Sequence, residues 1–387
     1  MPTDANQVSL YYVAEDTFNE TPDGSKALQE LGYIPPSDLK IANQYQDSEE
    51  VRSDRQLAAQ PKVGEESSAA IQTELSMRAL NDFFAACLGS TWTTVSPGAL
   101  TVSCDDSSET LTTAGSFTPF ALCRYIKIAG SATAANNGIK KVVSVTSTVI
   151  TLAAGSLTAD TTDETLTITG KYVRVGQTLT TFMLEQKFAL MDAGANRFKR
   201  LSGAGVNEIS LDVASKSRVK ATVNFMAATG AYSATTSGDG TPLAKTALPI
   251  ITTNANVATI YRGGTAIAVP VQSLPLSIKN NLRIRPALGV QNTLEFGLNE
   301  FDLSGTINAY FSDKALVDEM VAGTVSSLEF ALTDSAGKLL NFYMPLAKIL
   351  TGDPNPSNKN SDVMTALAFR ALGSDSAKVL QLDYLEA

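Results

Sequence analysis

The sequence predicts a mainly β protein: two similar units in tandem, each with one flanking helix, and a small all-β subdomain inserted into the first. Three features carry that reading. Apolar residues recur at period two through most of the chain, two short segments keep helical spacing, and a constant offset relates one half to the other.

Taken in order, residues 1–45 form an N-terminal arm ahead of a charged stretch, Asp47 to Gln56. In Ser76–Gly89, Leu80, Phe83, Phe84, Cys87 and Leu88 lie at helical spacing, with Ser76 as N-cap and Gly89 as the stop. Residues 90–180 contain YIKIAG and KKVVSVTSTVITLAAG joined at Asn136-Asn137-Gly138, a hairpin signal, and then TLTITGKYVRVG. Ile209, Leu211 and Val213 alternate with polar residues, as do Val219, Ala221, Val223 and Phe225. Residues 228–275, rich in Ala, Thr, Gly and Ser, connect the halves. Phe301, Leu303, Ile307, Ala309 and Phe311 alternate next, and Ser312–Gly323 is a second helix through Leu316, Val317, Met320 and Val321. Leu328, Phe330 and Leu332 follow as a strand.

An offset of 236 places Ile71, Leu75, Ser76, Leu80, Asp82 and Ala86 on Ile307, Phe311, Ser312, Leu316, Asp318 and Ala322 without a gap. Farther on the offset is 144. It places Leu184 and Glu185 on Leu328 and Glu329, Phe198 on Phe342, and Val219, Val223 and Phe225 on Val363, Leu367 and Phe369. The difference, 92, is the size of an insertion after the first helix. The expected organisation is therefore an arm (1–45), a first unit (46–89 plus 181–227), an inserted all-β subdomain (90–180), a connection (228–275) and a second unit (276–387).

Composition narrows the function. The 387 residues are 44% hydrophobic and 18% charged, as in a globular chain, with 39 acids against 30 bases and a net charge of −9. There is no histidine, which removes histidine-based triads and metal sites. Cys87, Cys104 and Cys123 fit neither a zinc pattern nor a disulfide framework. MPTDANQ lacks the basic residues of a signal peptide, no apolar run reaches membrane-spanning length, and no membrane association is expected.

No motif points to catalysis, a cofactor or a metal. Glu49-Glu50, Glu65-Glu66 and Asp105-Asp106 are adjacent acids, and neighbours on a strand face opposite ways. Asp353 to Asp362 lacks the glycine and glutamate of a calcium loop, and Gly203-Ala204-Gly205 lacks the third glycine of a dinucleotide fingerprint. Lys216, Arg218 and Lys220 alternate as if on one strand, either a phosphate stripe or a charged edge. In the stretch from Asp47 to Gln56 acids and bases interleave. That pattern suits either a solvated loop or one pairing with complementary charge on a neighbour.

Several stretches together resemble the major tail tube proteins of long-tailed bacteriophages. LYYVAEDTFNETP resembles the family's start, EEVRSDRQ its characteristic loop, and LNDFFAACLGSTW its helix and closing tryptophan, Trp92. IKIAGSATAANNGIKKVVSV resembles a β-insertion of many members, and LRIRPALG and DVMTALAFRA second-half segments. The resemblance implies tail-tube-type β-sandwich or barrel units in a structural, non-enzymatic virion protein of the tail, assembled in the bacterial host cytoplasm. It puts Glu49, Glu50, Arg52, Asp54, Arg55 and Gln56 at a subunit interface. It implies stacked homo-oligomeric rings around a lumen through which phage DNA passes in transient, non-specific contact. Rings of single-unit subunits are hexameric; two units per chain favour a trimer with pseudo-sixfold symmetry. The implied partners are the tail terminator, tape measure and distal tail proteins. An acidic lumen wall would let DNA slide. The alternative is a receptor-binding or decoration β-module that uses the inserted domain.

Overall fold

The computed structural model describes residues 4–20, 22, 26–77, 80–158, 163–191, 195–238, 241–245, 249–253, 259–354, 356, 359 and 362–386. The first half supplies β1 (Val8–Ala14), β2 (Ile34–Tyr45), β3 (Lys62–Glu74), helix α1 (Asn81–Cys87), β4 (Glu164–Arg174), β5 (Thr181–Met191), β6 (Ala195–Asp212) and β7 (Lys220–Ala227). The second supplies β8 (Leu276–Lys279), β9 (Asp302–Tyr310), helix α2 (Ala315–Ala322), β10 (Val325–Thr333), β11 (Leu339–Thr351), β12 (Met364–Leu372) and β13 (Gln381–Leu385). The protein is mainly β. Alternation produces this: in β7, Ala221, Val223, Phe225 and Ala227 are buried while the residues between them are not.

One antiparallel sheet runs β2–β3–β7–β6–β8–β9–β12–β11, and β6 also pairs with β5, which pairs with β1. The stretch expected as an arm thus supplies three paired strands: β1, the short Gln29–Leu31 beside it, and β2.

Hydrogen-bond registers recur between the halves. Ile71 faces Val223 as Ile307 faces Leu367, and Leu39 faces Ala69 as Leu276 faces Gly305. Val206 faces Phe225 and Glu208 faces Asn224, with one residue bulged between; Ile349 and Thr351 face Phe369 and Ala368 with the same bulge. One sequence correspondence needs correction. Phe198 faces Lys187, whose counterpart Ala331 faces Asn341, so Phe198 corresponds to Asn341 and not to Phe342. In the β5–β6 hairpin the facing residues Leu184 and Leu201 are 17 positions apart, and in the β10–β11 hairpin Leu328 and Met344 only 16, which moves β11 by one.

A single apolar core joins both halves. Phe83 packs on Phe182 and Phe225 at centroid distances of 5.1 and 5.2 Å, and Phe84 reaches Phe342 at 6.0 Å. Both helices are shorter than their spacing suggests. Ser76 instead bridges Ile250 as an extension of β3, so the first helix starts at Asn81 with no side-chain cap. The second starts at Ala315 and ends on Gly323, whose φ of 65° suits glycine. The helices also differ in burial: α1 is almost wholly covered, while no residue of α2 is buried and Val321 is 77% exposed.

The inserted piece has its own sheet, from Ala99–Asp105, Thr110–Thr113, Tyr125–Ala129, Gly138–Val145, Val149–Leu152 and the first half of β4, and its own core around Phe117, Phe120, Ile126 and Ile168. Asn136-Asn137-Gly138 is not a two-residue turn. The connection runs through 130–137, because the Asn136 side chain is buried in bonds to the Thr158 backbone. The second half of β4 leaves this sheet for the main one, where it pairs with Thr93–Val95 and β13. Gly170 marks the crossing, since a Cβ there would lie 2.5 Å from Cys123 Sγ. Deleting residues 97–168 behind a short linker should therefore leave a soluble, folded core. Deleting 90–180 removes a main-sheet strand from beside Gln381, Leu382 and Asp383 and should give insoluble protein. Equal solubility of the two deletions would refute this placement.

Candidate functional site

The charged stretch lies on an exposed loop, 46–61, between β2 and β3. Its end is drawn together by Arg52, whose Nε and Nη2 donate to Asp54 at 3.0 and 2.6 Å, while the Gln56 N–H donates to Asp54 Oδ1 at 3.2 Å. Arg55 turns the chain at φ 60°. Glu49, Glu50, Arg52, Asp54, Arg55 and Gln56 are all exposed, and Val51 is 96% exposed.

A second projection was missed in the sequence. Leu282–Arg285 pairs with Glu295–Leu298 as a separate two-stranded hairpin between β8 and β9, the position that the loop holds between β2 and β3. Its tip bears exposed Leu288, Val290 and Leu294. The Glu65 N–H donates to the Gln291 carbonyl at 3.0 Å, so both projections lie at one end of the sheet. The signal was the alternation in LRIR and LEFGL on either side of a Pro-Ala-Leu-Gly turn.

A polar junction holds the insert to the second half. Glu329, 2% exposed, accepts ion pairs from Arg124 and Lys141, both at 3.1 Å. Fully buried Asp383 accepts the Arg124 backbone N–H at 3.1 Å and the side chains of Asn341 and Gln381. Burial pushes the Asp383 carboxyl up to about 7, against the pull of those hydrogen bonds. Burial also lowers Lys141, with Glu329 opposing it. A folded carboxyl raised above its unfolded value binds the extra proton between about pH 4 and pH 7, so its contribution to stability falls as pH rises through that window. Asp383→Asn removes this dependence. The melting temperature of the variant minus that of wild type should climb from pH 4.5 to pH 7.5, and a flat difference would refute the buried neutral carboxyl.

The other sequence candidates do not converge. Lys216 sits in a turn at φ 57°, Arg218 lies in an isolated bridge and pairs with Glu74, and only Lys220 enters β7, so no stripe exists. Asp105 accepts Ser107 and Ser108, the hydrogen bonds that hold its carboxyl low. Part of the Asp353–Asp362 stretch lies outside the described residues. Cys87, Cys104 and Cys123 are buried and form no disulfide, and burial pushes Cys123 up to about 12. No group of three or more acids or cysteines gathers as a metal site among the described residues. A cleft of about 750 Å³ is lined by Tyr12, Glu74, Asp82, Trp92, Lys171 and Tyr384. Its groups are engaged structurally: Asp82 accepts the Tyr12 hydroxyl, Trp92 donates to the Asn81 carbonyl, and Lys171 lies over Trp92 and Tyr384 at 5.5 and 5.2 Å. None of the described helices is long and apolar enough to cross a membrane.

The geometry is thus a β scaffold from which an exposed charged loop and a hairpin project. No curated protein matches the chain. The family model described as phage tail tube protein matches residues 5–371, nearly the whole length, and on that match the chain belongs to the phage tail tube protein family.

Proposed function

We propose that this structural tail protein forms rings of three chains that stack into a tube, with a lumen through which phage DNA passes. The observation that carries the reading is the recurrence of registers and of the β-bulge between the halves. Two like units in one chain supply six like positions when three chains close a ring. No catalysis is part of this reading. The division into a first unit, an inserted subdomain and a second unit belongs to it, with the inserted piece fixed by β4 and the polar junction.

Loop 46–61 and the hairpin Leu282–Leu298, at one end of the sheet, are the surfaces that meet the neighbouring ring. The acidic balance suits a lumen that does not retain DNA, because neutralised phosphates bind tightly through counterion release. The ends of the tube meet the tail terminator and distal tail proteins, its lumen holds the tape measure protein, and assembly takes place in the host cytoplasm. End-on electron microscopy of concentrated protein tests the proposal: three chains per ring around a central hole are expected. Compact particles without a hole under every salt condition would overturn it and favour the decoration module.

A further inference from the structure

We propose that neighbouring chains in the ring join by edge pairing of residues 350–353 with residues 40–43 of the next chain, with Asp353 opposite Lys40. The inference rests on the ring reading above and deepens it by naming the contact. Within one chain the two halves already meet by such pairing. The end of β6 pairs with β8, placing Glu208, Ile209, Ser210 and Leu211 opposite Lys279, Ile278, Ser277 and Leu276. If the halves are equivalent, a closed ring repeats this junction between chains.

The repeated registers say which residues take part. Val206 and Glu208 correspond to Ile349 and Thr351, an offset of 143, and Leu39 corresponds to Leu276, an offset of 237. Carried along, Ser210 maps to Asp353 and Ser277 to Lys40. Both edges needed are open. Among the described residues β2 pairs only with β3, and beyond Lys348 the β10 edge of β11 has no partner strand. An open strand edge is a template for another chain.

Chemistry at the mapped positions agrees. In the internal junction the Asn280 N–H donates to the Asn207 carbonyl and the Leu274 N–H to the Val213 carbonyl, both at 2.8 Å. Odd-numbered β6 residues are therefore the hydrogen-bonded ones, and Ser210 with Ser277 is a closer, non-bonded pair. Its counterparts, Asp353 and Lys40, carry opposite charge, are exposed, and have no ion-pair partner among the described residues. The next residue, Pro354, falls at the hydrogen-bonded Leu211 position. It has no N–H to donate, so the ladder ends there.

The test uses the full chain with Lys40→Cys and Asp353→Cys together; the three native cysteines are buried and form no disulfide. Directly opposed positions bring Cβ atoms to about 4.5–5.5 Å, near the range a disulfide bridges. Oxidised tubes should run on non-reducing gels as linked dimers and trimers and no larger closed species, whereas either single variant should stay monomeric. Tubes that form and oxidise without cross-links would overturn the pairing and leave the ring reading standing. Wild-type protein that never forms rings would overturn both. In parallel, Lys40→Asp or Asp353→Lys alone should reduce tube yield at least tenfold, and the two together should restore it. Failure of that restoration, with each variant folded by circular dichroism, would also count against the pair.

Discussion

Phe83→Ala lowers the free energy of unfolding by about 3–5 kcal/mol, the cost of emptying a large aromatic site from a packed interior. Phe83 is fully buried and sits among Tyr12, Phe182 and Phe225, with rings 4.7 to 5.2 Å apart in tilted and edge arrangements. Three strands, β1, β5 and β7, converge on it, so the cavity cannot close by moving one element. The counterpart test is on α2: Val321→Ala removes a side chain that is 77% exposed and should change stability by less than about 0.5 kcal/mol. Urea unfolding of both variants measures the difference. A loss under about 1 kcal/mol for Phe83→Ala would mean that α1 does not anchor the core.

Arg52→Glu combined with Arg55→Glu should abolish tube formation and leave the circular dichroism spectrum and melting temperature unchanged. Both arginines lie on an exposed loop whose contacts are local, the Arg52–Asp54 pair above all, so the fold loses little that a surface ion pair supplies. At an interface the reversal places like charges against the partner surface, which costs several kcal/mol per contact. Sedimentation followed by negative-stain microscopy reads the outcome. Tubes of normal length from the double variant would remove the loop from the interface, and a lowered melting temperature would show that it serves the fold instead.

Much of this architecture is legible in the residues. Period two located the C-terminal end of β6 and most of β7 and β9, where one face is buried; in β10 it marked Leu328, Phe330 and Leu332, although Glu329 and Ala331 between them are buried as well. The helices were legible in position and not in length. The Leu75 N–H donates to the Val219 carbonyl and the Leu75 carbonyl accepts from Ile251, so the chain stays extended past the residue that looks like a cap. The 143 offset was hidden because a one-residue change in a hairpin leaves no mark in composition.

The polar junction was illegible for another reason. Arg124, Glu329 and Asp383 lie up to 259 residues apart, and nothing local distinguishes them from surface charges. Of the interface candidates, loop 46–61 stood out by its density of charge. The hairpin that matches it in the second half did not, since Arg283, Arg285 and Glu295 are spread along ordinary strand alternation.

β4 belongs to two sheets at once, and that has a mechanical meaning. Its 11 residues span about 36 Å at roughly 3.3 Å per residue, with one end clamped in the main sheet and the other forming the floor of the insert. The strand is a lever. A turn of about 3° at the clamped end would move the far end by about 2 Å over that length. A strain imposed on the main sheet would thereby reach the insert as a displacement.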